Sequence, residues 1–176
     1  MNDVGYRVVS THELFPVIQE SLETGQKVIF TVSGTSMLPW IAHNRDQVLL
    51  AKAENKKLKK GDIILFLSES GKYILHRIYK VNSKGYNTIG DACQCDDGVV
   101  HTEQIIGKVE KIYRKDKEIN CDSFLWWLIF AVWRWLLPIR GLLLEIYYLL
   151  VQIKRWLKKK HRIRRLNHGK DCKPIA

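Results

Sequence analysis

Three short stretches carry side chains that could act together in nucleophilic catalysis. The stretch VSGTSMLPWI contains Ser36, YILHRIYKV contains His76, and TIGDACQCDDGVV contains Asp91 and Asp97. A serine hydroxyl is a weak nucleophile until a base takes its proton, and that base needs a partner that orients it. Ser36, His76 and one of the aspartates therefore form a candidate catalytic set.

His76 lies in a run whose side chains alternate between two faces. Ile74, His76 and Ile78 share one face of the predicted strand, because successive side chains of a strand point in opposite directions. The histidine is thus expected on an apolar face, desolvated and rigid. By itself, such a histidine is more often a core residue than a catalytic base, and an acidic loop is more often a solvated turn.

The elements around these stretches are mainly short strands. Period-two patterns predict strands over 27–33, 47–52, 62–67, 73–81, 86–90 and 105–114, separated by polar breaks such as HNRD, SESGK and NSKG. A helix capped by Thr11 and ending near Gly25 precedes them. Many short strands without long helices between them predict a mainly β fold, an antiparallel barrel or sandwich-like domain.

Charge and composition divide the chain into segments. Residues 1–120 carry 17 Lys and Arg against 15 Asp and Glu, whereas residues 121–176 carry 12 against 3. The predicted segments are an N-terminal amphipathic helix (1–26), a β-rich domain (27–118), an apolar Trp-rich helical segment (119–160) and a basic C-terminal tail (161–176). The main domain is nearly neutral, so the basic character belongs to the tail.

The apolar segment is predicted to associate with a membrane. Its longest run without a charge, Ser123 to Trp133, is 11 residues, shorter than the roughly 18–20 of a spanning helix, and Pro138 interrupts the remainder of the segment. One interpretation is a poor transmembrane helix with its basic end in the cytoplasm. The second is a pair of interfacial helices bound to anionic lipids. The third is a helix that packs back on the β domain.

The cysteines point to no disulfide framework and to no convincing metal site. Cys93 and Cys95 are too close to bridge each other, and Cys121 and Cys172 are distant in sequence, so all four are predicted as unbridged thiols. A zinc site built from Cys93, Cys95 and His101 would have poor ligand spacing. We expect no metal and no cofactor. The N-terminal residues also lack the pattern of a secretory signal.

Four ordered boxes resemble the type I signal peptidase family. They are SGTSMLPW, GDIILF, ILHRIYKV and TIGDACQCDD, and they cover roughly residues 29–110. The variant that they resemble uses histidine as its base, as in the endoplasmic-reticulum and archaeal-type enzymes. The resemblance implies the signal-peptidase fold, Ser36 as nucleophile, His76 as general base, Asp97 as the orienting carboxylate and Asp91 as the second acidic position. We expect Asp97, rather than Asp91, to orient His76.

The resemblance also implies how the serine stretch would act on a substrate. Gly34 would let the backbone approach an extended peptide, Pro39 would hold Ser36 in an accessible position, and Met37 would line the pocket for a small side chain before the scissile bond. An acyl-enzyme would form and then be hydrolysed. Thr35, with Gly34, belongs to the candidate substrate and oxyanion region.

The chain departs from the family pattern at three points. The N-terminal membrane anchor common in the family is not found before the serine box, and the apolar segment is C-terminal instead. Gly34 stands where many members have a serine that helps to bind the oxyanion, so that role would pass to backbone N–H groups, Thr35 or Ser33. Cys93 stands at the position usual for an asparagine. The loss of one oxyanion donor costs on the order of 10²–10³ in rate.

The predicted function is a membrane-associated serine endopeptidase that cleaves signal or leader peptides after small residues. Its predicted partners are an extended peptide and anionic lipids, the latter through the C-terminal segment, and its predicted location is the plasma membrane, on an undetermined side. The alternatives are a cytoplasmic-face leader peptidase for specialised peptide products and a catalytically retired binding module. A nucleic-acid function is not expected, because the basic tail follows aromatic and aliphatic sequence without a recognisable binding motif. A self-cleaving repressor-type function is not expected either, because those relatives use lysine as base where this chain has His76.

Overall fold

The structure, a computed structural model, describes residues 11–53, 58–115 and 117–168. The chain forms two compact units, Met1–Leu137 and Pro138–Ala176. The first unit contains every residue of the candidate catalytic set. The boundary between the units falls inside the predicted apolar segment.

Short strands make up most of the first unit. Helix α1 spans Thr11–Glu23 and is followed by β1 (Val28–Thr31), β2 (Asp46–Ala51), β3 (Ile63–Leu67), β4 (Tyr73–Asn82), β5 (Gly85–Ile89), β6 (Val99–Val100), a 3₁₀ turn (Thr102–Gln104), β7 (Ile105–Arg114), β8 (Lys117–Asn120) and helix α2 (Phe124–Trp135). A second 3₁₀ turn, Leu137–Ile139, leads into helix α3 (Arg140–His168).

The strands of the described residues form one antiparallel sheet. Their order is β1-β2-β7-β3-β4-β5-β6, and β8 pairs with the last residues of β7. β1 and β6 are the two ends of this order, and no described pairing joins them. The prediction of an antiparallel β domain is confirmed, but the sheet does not close into a barrel. A two-residue β6, which pairs only with Tyr86 and Asn87, leaves too little edge for closure.

Six strands and the first helix agree with the predictions to within a few residues at their ends. The sequence does not predict β6, because a run of two residues is too short to establish a period of two, and it does not predict β8, which pairs with the end of β7. In β4, Ile74 and Ile78 pack in one apolar cluster while Tyr73 and Leu75 pack against another, so the predicted alternation of faces is confirmed.

Two apolar clusters lie on opposite faces of the sheet. The larger contains Phe15, Ile18 and Leu22 of α1 together with residues of β2, β3 and β7, and the smaller is centred on Ile64 and Phe66. β3 contributes to both, and its first four residues are all buried. This burial on two faces explains the uninterrupted apolar run of β3. β3 pairs along its whole length with β4, so the buried strand supports the strand that carries His76.

The apolar C-terminal segment contains no described helix that could cross a membrane alone. The helical segments Phe124–Trp135 and Leu137–Lys160 meet the requirements of length and composition only when taken together across a bend. Within the first unit, α2 buries Phe130 against the β domain, so this part of the segment follows the packing interpretation.

A buried carboxylate at the start of β2 holds the serine loop, which we define as residues 32–45. The Asp46 side chain is fully buried, and it accepts hydrogen bonds from Ala42 N at 2.9 Å, from Arg45 at 2.7 and 2.8 Å and from Arg114 at 3.1 and 3.2 Å. Arg114 also donates to the carbonyl of Trp40. Burial alone would raise the pKa of Asp46, but the hydrogen bonds from Arg45 and Arg114 outweigh it and lower the pKa.

Asp46→Asn is expected to lower the free energy of unfolding at pH 7 by about 2–4 kcal/mol, since two partly exposed arginines lose a buried carboxylate. The lowered pKa means that the contribution of Asp46 is present above the ordinary value of 3.8 and is lost as the pH falls through the folded-state pKa. Chemical denaturation of wild type and Asp46→Asn should therefore give free energies of unfolding whose difference becomes smaller in acid. A difference that stays constant from pH 7 to pH 3 would contradict this assignment.

Candidate active site

His76 and Asp97 form the central contact of the site. His76 is 8% exposed, and its Nδ1 lies 2.7 Å from Asp97 Oδ2. The same carboxylate oxygen accepts a hydrogen bond from Thr88 Oγ1 at 2.7 Å, and Asp97 N donates to Thr88 O at 3.0 Å. Because a carboxylate accepts hydrogen bonds, the tautomer with a proton on Nδ1 fits this contact and leaves Nε2 able to accept a proton.

Ser36 and His76 line the same cleft, which has a volume of about 830 Å³. Residues of α1, β1, the serine loop and β4 form its walls, and most of the wall is apolar. Ser36 is half-buried. Among the described residues its hydroxyl has no hydrogen bond to His76, so the structure brings Ser36 and His76 into one cleft without a hydrogen bond between their side chains.

The closest approach of the site's two loops is at Gly90. Ala92 N donates to Ser36 O at 2.7 Å. A Cβ on Gly90 would lie 2.7 Å from Ser36 O, 2.7 Å from Cys93 Sγ and 2.9 Å from His76 Nε2. Only glycine leaves room for the serine loop, the base and the acidic loop to meet at one point. Gly90 was not among the residues predicted for the site, although its place before Asp91 was a usable signal.

Asp91 has a different partner from Asp97. Its two oxygens accept hydrogen bonds from Arg77 at 2.9 and 2.6 Å, both side chains are 4% exposed or less, and Arg77 also donates to Gly61 O at 2.8 Å. The pair is therefore a structural bond between β4 and the acidic loop. The orienting role of Asp97 stays a prediction, and Asp97 is the carboxylate with the contact that this role requires.

The residues around Ser36 differ in what they can offer a substrate. Gly34 has φ +101°, and its N–H donates to His43 Nδ1 at 3.0 Å. This left-handed backbone disfavours any other residue and accounts for glycine at this position. Met37 is 2% exposed and lines the cleft, whereas Thr35 is exposed and is not part of the cleft wall. The N–H of Ser36 donates to no described residue and is a candidate oxyanion donor.

A tyrosine fixes the loop that carries Asp97. The hydroxyl of Tyr79 donates to Asp96, and Asp96 also accepts from Gly98 N at 3.3 Å. The hydrogen bond to Asp96, with a smaller effect of burial, raises the pKa of Tyr79 to about 12. Tyr79 therefore remains a protonated donor throughout the neutral range. Tyr79 was not among the residues predicted for the site.

The described cysteines, Cys93, Cys95 and Cys121, form no disulfide, and Cys172 lies outside the described residues. Burial raises the pKa of Cys121 to about 12, so its thiol is inert at neutral pH. His101 is exposed and caps the 3₁₀ turn. In the described part of the chain, no group of three or more His, Cys, Asp or Glu side chains is arranged to hold a metal ion.

No protein-family model matches the chain, and no curated protein matches it significantly. The assignment of a function therefore depends on the sequence boxes and on the geometry of the site.

The two aspartates are expected to differ in their effects on stability. Asp91→Asn leaves the Arg77 guanidinium buried without a charged partner, and it should lower the free energy of unfolding by about 3 kcal/mol or more. Asp97→Asn removes a charge from a less buried position and should cost about 1 kcal/mol. Urea denaturation followed by tryptophan fluorescence measures both. Equal losses would contradict the different partners assigned to them.

Proposed function

We propose that this protein is a membrane-associated serine endopeptidase of the signal peptidase I type that cleaves signal or leader peptides after small residues. The observation that carries the proposal is the 2.7 Å contact between His76 and Asp97 in a cleft that also contains Ser36. A histidine oriented by a carboxylate beside a partly exposed serine is the arrangement that nucleophilic catalysis requires.

The proposed reaction is acyl transfer through Ser36. His76 Nε2 accepts the hydroxyl proton as Ser36 Oγ attacks the scissile carbonyl, and Asp97 stabilises the imidazolium that forms. The oxyanion accepts a hydrogen bond from Ser36 N–H. The intermediate then collapses, the peptide C–N bond breaks, and His76 gives its proton to the leaving amine. Water, deprotonated by His76, then attacks the acyl carbonyl, the ester bond to Ser36 Oγ breaks, and His76 returns the proton to Ser36 Oγ. We expect substrate binding to close the gap between Ser36 and His76, since catalytic hydrogen bonds often tighten only in complexes.

Two unpaired strand edges support an extended peptide as the substrate. In the described pairings β1 pairs only with β2, and residues 73–75 of β4 pair only with β3. Both segments line the cleft. A peptide strand added here would gain main-chain hydrogen bonds and would lead its scissile bond past Ser36. The family resemblance implies specificity for small residues before the scissile bond. Met37, which lines the cleft with Ser36, would contact such a residue.

Ser36→Ala is expected to abolish cleavage of a signal-peptide-bearing substrate, with product termini determined by mass spectrometry. Ser83→Ala, in the exposed turn between β4 and β5, is the matched control and should retain full activity. A fluorophosphonate probe reports separately on whether Ser36 is activated. Labelling without cleavage would indicate a dedicated leader peptide as substrate. If folded wild type shows neither labelling nor cleavage, the peptidase is refuted and a binding module is favoured.

Exposed apolar side chains on α3 support the proposed membrane association. They recur along one stripe at helical spacing and include Leu142, Ile146, Leu149, Ile153 and Trp156, each 45% exposed or more. Five lysines and arginines follow in residues 154–160, and Lys160 Nζ lies 4.9 Å from the centroid of the Trp156 ring. An apolar stripe with aromatic and cationic ends is typical of a helix that lies in an anionic lipid interface.

Leu149→Glu is expected to weaken binding to vesicles of anionic phospholipid by about tenfold or more, because it removes an apolar side chain and adds a negative charge. Gln152→Glu adds the same charge to an exposed position without removing apolar surface, and we expect about fivefold weakening. Vesicle flotation at two salt concentrations measures both. Equal weakening by the two variants would argue against burial of the stripe in lipid.

A further inference from the structure

Helix α2 lies outside residues 29–110, the part of the chain that carries the family resemblance, yet it contacts both loops of the candidate site. Its inner face carries Trp126, Phe130 and Trp133, at helical spacing. Its outer face is apolar and exposed, with Phe124 at 75% and Trp135 at 80% exposure. The side chains of the inner face contact Trp40 of the serine loop and the main chain of Asp91.

The first contact is with the serine loop. Trp40, four residues after Ser36, meets the rings of Trp126, Phe130 and Trp133 edge-on, with centroid distances of 5.9, 6.0 and 5.6 Å. The indole nitrogen of Trp40 is buried and has no acceptor among the described residues. Aromatic packing, rather than a hydrogen bond, therefore holds this indole.

The second contact is with the segment 90–92, which carries the closest approach of the two loops. Trp133 Nε1 donates to Asp91 O at 3.1 Å. The side chain of Asp91 pairs with Arg77, whose guanidinium carbon lies 3.6 Å from the centroid of the Phe130 ring. α2 thus contacts the main chain of Asp91 directly, through Trp133, and the side chain of Asp91 indirectly, through Arg77.

These contacts lead to the nucleophile in two steps. Trp133 fixes the carbonyl of Asp91, and the next residue, Ala92, donates its N–H to Ser36 O at 2.7 Å. A shift of segment 90–92 would therefore move Ser36 relative to His76 Nε2. Misplacement of reacting groups by about 1 Å can cost on the order of 10² in rate.

We propose that Trp133 is a positioning residue of the peptidase, which sets the distance between Ser36 and His76 through Asp91 and Ala92. The inference rests on the proposed function and deepens it by making α2 part of the active-site frame. Trp133 touches no reacting atom, and its effect is on turnover rather than on substrate affinity. A purely structural role would instead lower stability and leave the catalytic parameters of the folded protein unchanged.

The test compares Trp133→Phe with Trp126→Phe in the full chain. Both variants keep an aromatic ring on the inner face, but only the first removes a hydrogen bond to segment 90–92. For Trp133→Phe we expect kcat to fall about tenfold or more, with KM within about twofold. Trp126→Phe should keep most of kcat. Equal kcat values for the two folded variants would overturn the proposal.

A second measurement does not depend on activity. Hydrogen–deuterium exchange of the peptide that contains the Ala92 amide should be faster in Trp133→Phe than in wild type, and unchanged in Trp126→Phe. An inactive wild type whose exchange responds in this way would refute the peptidase while supporting the positioning of segment 90–92. An active wild type whose exchange is unchanged in Trp133→Phe would overturn the inference and leave the peptidase intact.

Incorporation of benzothienylalanine at position 133 makes the same comparison if the smaller phenylalanine ring disturbs folding. This side chain replaces the indole N–H with sulfur and keeps the shape of the ring, so only the hydrogen bond to Asp91 O is lost. The same decrease in kcat is expected, and full wild-type turnover would overturn the proposal.

Discussion

The hydrogen bond from Ala92 N to Ser36 O is the contact on which the candidate site depends. At 2.7 Å it joins the loop that carries the serine to the loop that follows β5, two segments more than fifty residues apart. It can form only because Gly90 has no side chain at the point where Ser36 O and His76 Nε2 approach each other. Every other feature of the site supports one side of this junction or the other.

Buried charges support each side. Asp46 fixes the serine loop with hydrogen bonds from Ala42 N, Arg45 and Arg114, and Asp91 fixes the acidic loop through Arg77. In both cases the hydrogen bonds from arginine compensate the carboxylate for its loss of water. Asp97 differs from these two because its partner is the imidazole of His76 rather than an arginine guanidinium.

Asp91 and Asp97 lie in one acidic loop with the same local character, so the prediction that Asp97 orients His76 rested on the family resemblance and on its position in that loop. In the structure the two are separated by their partners, which are His76 for Asp97 and Arg77 for Asp91. Trp133 was hidden in the sequence. Its segment is rich in tryptophan for two possible reasons, contact with lipid and contact with protein, and composition does not separate them.

The sequence by itself determined six of the strands, the alternation that puts His76 on an apolar face, and the three stretches that carry the site. These follow from local patterns, because side-chain direction along a strand repeats every two residues. Tertiary structure alone decided that the sheet stays open, that Asp91 pairs with the buried Arg77, and that α2 packs against both loops. Each of these depends on contacts between residues distant in the chain, and such contacts leave no periodic signal in the sequence.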